Sequence, residues 1–164
     1  MRVLYQRHNV RVYRFVLRLV ENEALAEDVV NDVFLAAWRG AGRFQARSQV
    51  GTWLLAIARH KAISALRHRS EPQLDDQMAA AVADPLDDPE TQTDHKDRCE
   101  IVQKCLKRLS PRHREILDLV YYHEKSVREV AQIVRIPEGT VKTRMFHARK
   151  HMSRLLAAAG IREA

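Results

Sequence analysis

Hydrophobic residues recur along this chain at a period of three to four, in blocks separated by capping residues and prolines. Leu4, Val12, Tyr13, Phe15, Val16, Leu19 and Val20 predict an amphipathic helix ending near Glu21 and Asn22. Asn22 can cap a second helix whose apolar face is Leu25, Ala26, Val29, Val30, Val33, Phe34, Ala37 and Trp38, closed by Gly40 and Gly42. After a polar loop, Phe44 to Ser48, a third helix capped by Ser48 turns Val50, Trp53, Leu54, Ile57, Ala58, Ala62, Ala65 and Leu66 inward. Trp53 is assigned to the core because Ile57 follows it at i+4. A fourth helix starts near Lys96, with Ile101, Val102, Cys105, Leu106 and Leu109 inside. Ser110-Pro111 is a start signal for a fifth, Ser as cap and Pro at the first position, which packs through Ile116, Leu117, Val120 and Tyr121.

The last block, Ser126 to Met152, reads as two helices about a tight corner. Val127, Val130, Ala131 and Val134 make one apolar face. Pro137 stops that helix, and Glu138-Gly139-Thr140 offers a flexible step with Thr140 as the next cap. Val141, Met145, Ala148 and Met152 form the buried stripe of the second helix. At about 100° per residue, Thr143, His147, Lys150 and Arg154 lie opposite it, with Lys142, Phe146 and Arg149 beside them. A short helix, a corner and a longer helix with a basic outer face is the helix-turn-helix layout, whose second helix enters a DNA major groove. The plainer alternative is a helical hairpin with a solvated basic face. Every predicted element is helical, and five Gly and five Pro suit a mostly helical protein, so the fold class expected is all-α.

Charge divides the chain into two small helical domains. Residues 1–70 hold 12 Lys and Arg against 5 Asp and Glu; residues 96–164 hold 16 against 8. Between them, residues 71–95 hold 8 acids and no Lys or Arg, with Pro72, Pro85 and Pro89 and little hydrophobic periodicity. This predicts basic domains over 1–70 and 96–160 joined by an acidic, flexible linker, 71–95, in which Met78 to Val82 could form a short helical turn. The net charge of +7 favours a polyanionic partner. With no long apolar run and no secretory leader, the reading is a soluble cytoplasmic protein with no membrane insertion.

Candidate chemistry is confined to surfaces. Glu27, Asp28, Asn31 and Asp32 make an acidic strip in an otherwise basic domain; Asp32 lies too deep in its helix for the macrodipole to explain it. Arg59, His60, Lys61, Arg67 and Arg69 lie outward on the third helix, behind a loop with an exposed aromatic. That pairing suits single-stranded nucleic acid, where cations track the backbone and an aromatic takes an unstacked base. Cys99 and Cys105 lack zinc spacing and would face apart on one helix, so they read as reduced, structural thiols; His95 and His113 add no convincing metal site. No nucleophile motif, phosphate loop or HExxH appears. The reading is therefore not an enzyme, with no cofactor.

Three segments, AEDVVNDVFLAAWRG, RFQARSQVGTWLLAIARHKAISALR and LSPRHREILDLVYYHEKSVREVAQIVRIPEGTVKTRMFHARKHM, together resemble the bacterial sigma factors of the extracytoplasmic-function (ECF) group in order and spacing. The resemblance implies a region 2 bundle and a region 4 helix-turn-helix domain. It implies binding to core RNA polymerase through Asp28, Asn31, Asp32, Leu35 and Trp38, on the clamp of the largest catalytic subunit. The family commonly has Gln and Glu where this chain has the shorter Asn31 and Asp32. Capture and melting of the −10 non-template strand would fall to Phe44, Gln45, Arg47, Ser48, Arg59, His60, Lys61 and Arg67. The −35 duplex would be read by Lys142, Thr143, Arg144, Phe146, His147, Arg149 and Lys150. His60 stands where the family often has Asn, and His147 where it often has Arg, so base preferences do not transfer. The resemblance also implies an anti-sigma factor as regulator and a linker that threads toward the polymerase active-site and RNA-exit channel as an acidic stand-in for RNA; against the family pattern the chain begins inside the first helix, which leaves a longer natural N-terminus or a different start site open. Two other classes stay open on the residues alone: a duplex-binding regulator that works without polymerase, and a helical interaction module.

Overall fold

The computed structural model describes residues 2–70 and 93–161, with side chains described for 2–69 and 98–161. Of the linker expected over 71–95, residues 71–92 lie outside the described residues, including the turn expected at Met78 to Val82. Every regular element described is helical: α1 (Arg2–Val20), α2 (Glu23–Gly40), α3 (Val50–Ser70), α4 (Thr93–Arg108), α5 (Pro111–Leu117), α6 (Val127–Val134) and α7 (Glu138–Ala158). A 3-10 turn, Ala41–Arg43, follows α2, and a π turn, Asp118–Tyr122, follows α5. The helices group into two compact units. The first gathers α1 to α3 with residues 128–136; the second gathers α4, α5, the π turn and α7.

In the first unit α1, α2 and α3 pack pairwise. Phe15, Val16, Val33, Leu54, Ala58 and Ala62 are sealed from water, each contributing on the order of 1–3 kcal/mol of transfer free energy by size. Asn22 caps α2 as its spacing predicts, its Oδ1 accepting from the Leu25 amide at 2.8 Å. Helix α3 departs from expectation in two ways. It begins at Val50, so Gln49 rather than Ser48 precedes it, and the Gln49 carbonyl accepts from the Trp53 amide. Because α3 is enclosed by two helices at once, its buried arc takes in Thr52 and Leu55 as well, while Trp53 is half-buried and Leu66 is exposed. The buried Thr52 hydroxyl donates to a Glu129 carboxylate oxygen at 2.6 Å, a charge-assisted bond that ties residues 128–136 into this unit. Within α6, Val130, Ile133 and Val134 are buried, while Val127 and Ala131 are only half so.

In the second unit Cys105, Leu109, Leu117, Ala148 and Leu155 make one core cluster, flanked by Ile101, Leu106, Met152 and Leu156. Cys99 is exposed, so only Cys105 has the structural placement expected of both. Helix α4 starts three residues before Lys96, at Thr93. Ser110 caps α5 through the His113 amide, with Pro111 at its first position. The π turn then inserts an extra residue per turn, with the His123 amide reaching back five residues to the Asp118 carbonyl. This rephases the chain: Leu119 is fully buried and Tyr121, expected inside, is 60% exposed.

The corner before α7 also differs from the sequence expectation. Helix α6 closes with Arg135 in the left-handed region (φ 58°) and the Ile136 amide returning to the Ala131 carbonyl, a Schellman-type stop with Arg where Gly is usual. Pro137 occupies the N-cap position of α7, which starts at Glu138. Gly139 and Thr140 therefore lie inside the first turn, and Thr140 is not the cap.

Candidate nucleic-acid and partner interfaces

On α2, Asp28, Asn31, Asp32, Leu35 and Trp38 are all exposed. At about 100° per residue they share an arc of roughly 120°. Trp38 departs from the sequence expectation: it is 65% exposed instead of completing the apolar face. The core-facing stripe ends at Ala37, which is 1% exposed, and one residue on the helix has turned Trp38 outward beside Leu35. A carboxylate strip with an uncovered indole at its end is what a protein-docking face requires, since Trp is enriched where binding energy concentrates. The other edge of α2 faces α1: burial, then Glu23 and Glu27, raise the Tyr13 pKa, so its phenol stays neutral.

The loop after α2 is shaped by Ala46, held at φ 52° where an L-residue costs about 1–2 kcal/mol. Gln45 and Arg47 are exposed around it and Ser48 is half-buried. Phe44, expected to stand free, is half-buried, its ring 4.9 Å from the Trp53 ring at 40°. Trp53, His60 and Arg67 follow at i, i+7 and i+14, so one line runs along α3 from this aromatic pair through an exposed His to an exposed Arg. Arg59 and Lys61 lie half-buried on opposite flanks of that line and do not join it. Trp53, assigned to the core from the sequence, stands at the head of this line; its heptad spacing from His60 and Arg67 is the signal that places it there.

Of the α7 candidates, Lys142, Thr143, Phe146, His147, Arg149 and Lys150 are exposed, while Arg144 is half-buried. Phe146 is 62% exposed among these cations and meets the His147 ring edge-on at 5.5 Å. The Thr143 hydroxyl donates to the Gly139 carbonyl at 3.0 Å, leaving its oxygen as an acceptor. Arg149 is placed by a neighbour the sequence did not flag: its guanidinium carbon lies 5.4 Å from the centre of the Tyr121 ring. Tyr121 could not be found by periodicity, because the π turn moves it outward.

These surfaces coincide with known sequence patterns. Residues 4–71 match the family model for Sigma-70 region 2, and residues 99–152 match that for Sigma-70, region 4. The ECF RNA polymerase sigma factor SigL of Mycobacterium tuberculosis is 30% identical over 98% of this chain and 91% of its own. The chain belongs to the ECF sigma factors.

The ECF sigma factor SigM of Bacillus subtilis is 29% identical over 93% of this chain and 92% of its own. Among solved structures, the sigma factor RpoE in complex with the anti-sigma factor NepR from Bartonella quintana superposes with a TM-score of 0.73 at 26% identity, over 90% of each chain. CnrH, solved with the cytosolic domain of CnrY, shares the fold with a TM-score of 0.66 over 94% of this chain and 86% of that one. In this ECF sigma factor the region 2 match spans α1 to α3, and the region 4 match runs from within α4 to within α7. Among the described residues, no group of three or more His, Cys, Asp and Glu could hold a metal ion. None of the described helices is long and apolar enough to cross a membrane.

Proposed function

We propose that this ECF sigma factor works as the promoter-reading subunit of a bacterial RNA polymerase, in the cytoplasm, with no chemistry of its own. The α2 face, Asp28, Asn31, Asp32, Leu35 and Trp38, docks on the clamp of the largest catalytic subunit. The Phe44–Ser48 loop, the Phe44–Trp53 pair and the His60–Arg67 line take the melted −10 non-template strand. Unstacking a base costs a few kcal/mol, which a pocket fitted to that base returns. Lys142, Thr143, Arg144, Phe146, His147, Arg149 and Lys150 meet the −35 duplex, the cations mainly at phosphates and the uncharged groups at base edges.

One observation carries the reading. Within a single chain, an exposed acidic face ending in Trp38 and an exposed basic face on α7 lie in the two segments that match regions 2 and 4. A duplex-binding regulator needs only the second. The relative RpoE was solved with an anti-sigma factor, which supports a regulator of that class here too.

The test is reconstitution. Purified protein is mixed with core polymerase and assayed for binding and for run-off transcription from candidate promoters. Polymerase binding with promoter-specific transcripts is the expected outcome. Tight sequence-specific DNA binding by the free chain, with no polymerase association, would sink the reading.

A further inference from the structure

One flank of α7 carries a group of side chains that the −35 reading does not fully absorb. Arg144, His147 and His151 follow at i, i+3 and i+7, within about 60° of one another around the helix. Helix α5 packs against α7, and His113 near its start lies close enough that His147, His151 and Arg144 act on its charge. The Nδ1 atom of His113 is shut off from solvent and has no hydrogen-bond partner. Burial first, then those three neighbours, lower its pKa.

The charged groups around this flank are mostly basic. On α5, Arg112 and Arg114 flank His113, Glu115 is buried, and Arg114 reaches back to the Lys107 carbonyl of α4 at 3.1 Å. Helix α4, also packed on α7, ends in Lys107 and Arg108. On α7 itself Lys150 and Arg154 stand exposed beside the strip.

We propose that His113, Arg144, His147 and His151 form a phosphodiester-binding site at the edge of the duplex-reading face, sharing Arg144 and His147 with it, one that takes up protons as DNA fills it. The proposal rests on the reading that α7 engages duplex DNA. Arg144 keeps its charge at any working pH. A proton added to His113 in the free protein is opposed by burial and repelled by the cations around it. A phosphodiester brought among the rings reverses that preference, because an opposite charge nearby favours imidazolium. Protons therefore pass from solvent to imidazole as the complex forms. The complex holds more protons than its separated parts, so affinity rises as pH falls. One proton taken up changes affinity by at most about tenfold per pH unit.

The full-length protein is titrated with a short duplex of non-promoter sequence, at pH 6 and pH 8 and one low ionic strength. Binding heats in two buffers of different ionisation enthalpy give the number of protons exchanged. The expected result is net uptake, with affinity at pH 6 about tenfold above that at pH 8. His113→Gln and His151→Gln each flatten the pH slope, and His147→Arg brings the pH 8 affinity toward the wild-type value at pH 6. Lys142→Ala weakens binding equally at both pH values and leaves the slope. Zero exchange or proton release in the wild type overturns the proposal. So does a wild-type slope in His151→Gln, whose side chain is exposed and outside the core, should His113→Gln fail to fold. The duplex carries no promoter, so the proton count stands or falls independently of run-off transcription, on which the sigma reading depends.

Discussion

Helices α3 and α7 are each 21 residues long and both are rich in Arg, Lys and His, yet their surroundings make different tools of them. Helix α3 is enclosed by α1 and α2. Its buried arc is broad, from Thr52 through Leu55, Ala58 and Ala62, and what remains outside centres on one line through Trp53, His60 and Arg67. Helix α7 is packed by α5 and α4, and its buried residues, Val141, Ala148 and Leu155, recur only every seventh position. More than half its circumference carries cations. A narrow line beside an aromatic pair suits one strand with its bases exposed, whereas a broad convex basic face suits a groove about 12 Å wide. How much of each helix its two neighbours cover, more than its composition, decides which form of nucleic acid it fits.

The largest effect that tests this contrast is on stability. Leu54→Ala, in the enclosed part of α3, is expected to cost about 3–5 kcal/mol, and Leu155→Ala, near the open end of α7, nearer 2 kcal/mol, by chemical denaturation. Equal losses would mean that the two helices are equally buried. Next is affinity. Lys142→Ala should lower −35 duplex affinity by about tenfold and reduce the salt slope by about one, while Arg47→Ala leaves duplex binding unchanged and weakens single-strand capture. Fluorescence anisotropy on matched duplex and single-stranded probes reads both.

The two caps give a smaller difference. Asn22→Ala should cost about 1 kcal/mol, its bond being 2.8 Å, and Ser110→Ala less, since the Ser110 oxygen stands 3.4 Å from the His113 amide. Smallest is Tyr121→Leu. It removes the ring beneath Arg149 and should weaken duplex binding by about 0.5–1 kcal/mol without moving the melting temperature, because Tyr121 contributes little to the core.

What the residues disclosed in advance was local. Asn22, Ser110 and Pro111 cap or start helices through bonds made within one turn, so their spacing suffices. The acidic strip and the basic row of α7 are likewise fixed by one helix's own periodicity. The errors fall where a second element decides. Thr52 and Leu55 are buried because α3 has neighbours on two sides, and Trp38 is exposed because nothing covers the edge of α2 where it emerges. Phe44 is half-buried because Trp53 lies beneath it. Thr140 fell inside α7 because the corner is made by Arg135 in a left-handed conformation, a choice that side-chain type disfavours. His113 drew attention only as a weak metal candidate; its relation to His147 and His151 exists only once α5 lies against α7.

The π turn at Asp118–Tyr122 carries a further consequence, and it concerns chain length. An α-helical continuation would need one residue fewer to cover the same rise. Deleting a single residue there would close the turn, bring the following side chains back by roughly 100° and draw the ring that steadies Arg149 toward the core. A change in count, with every neighbouring residue type preserved, would therefore undo the support of a cation some thirty residues further along the chain.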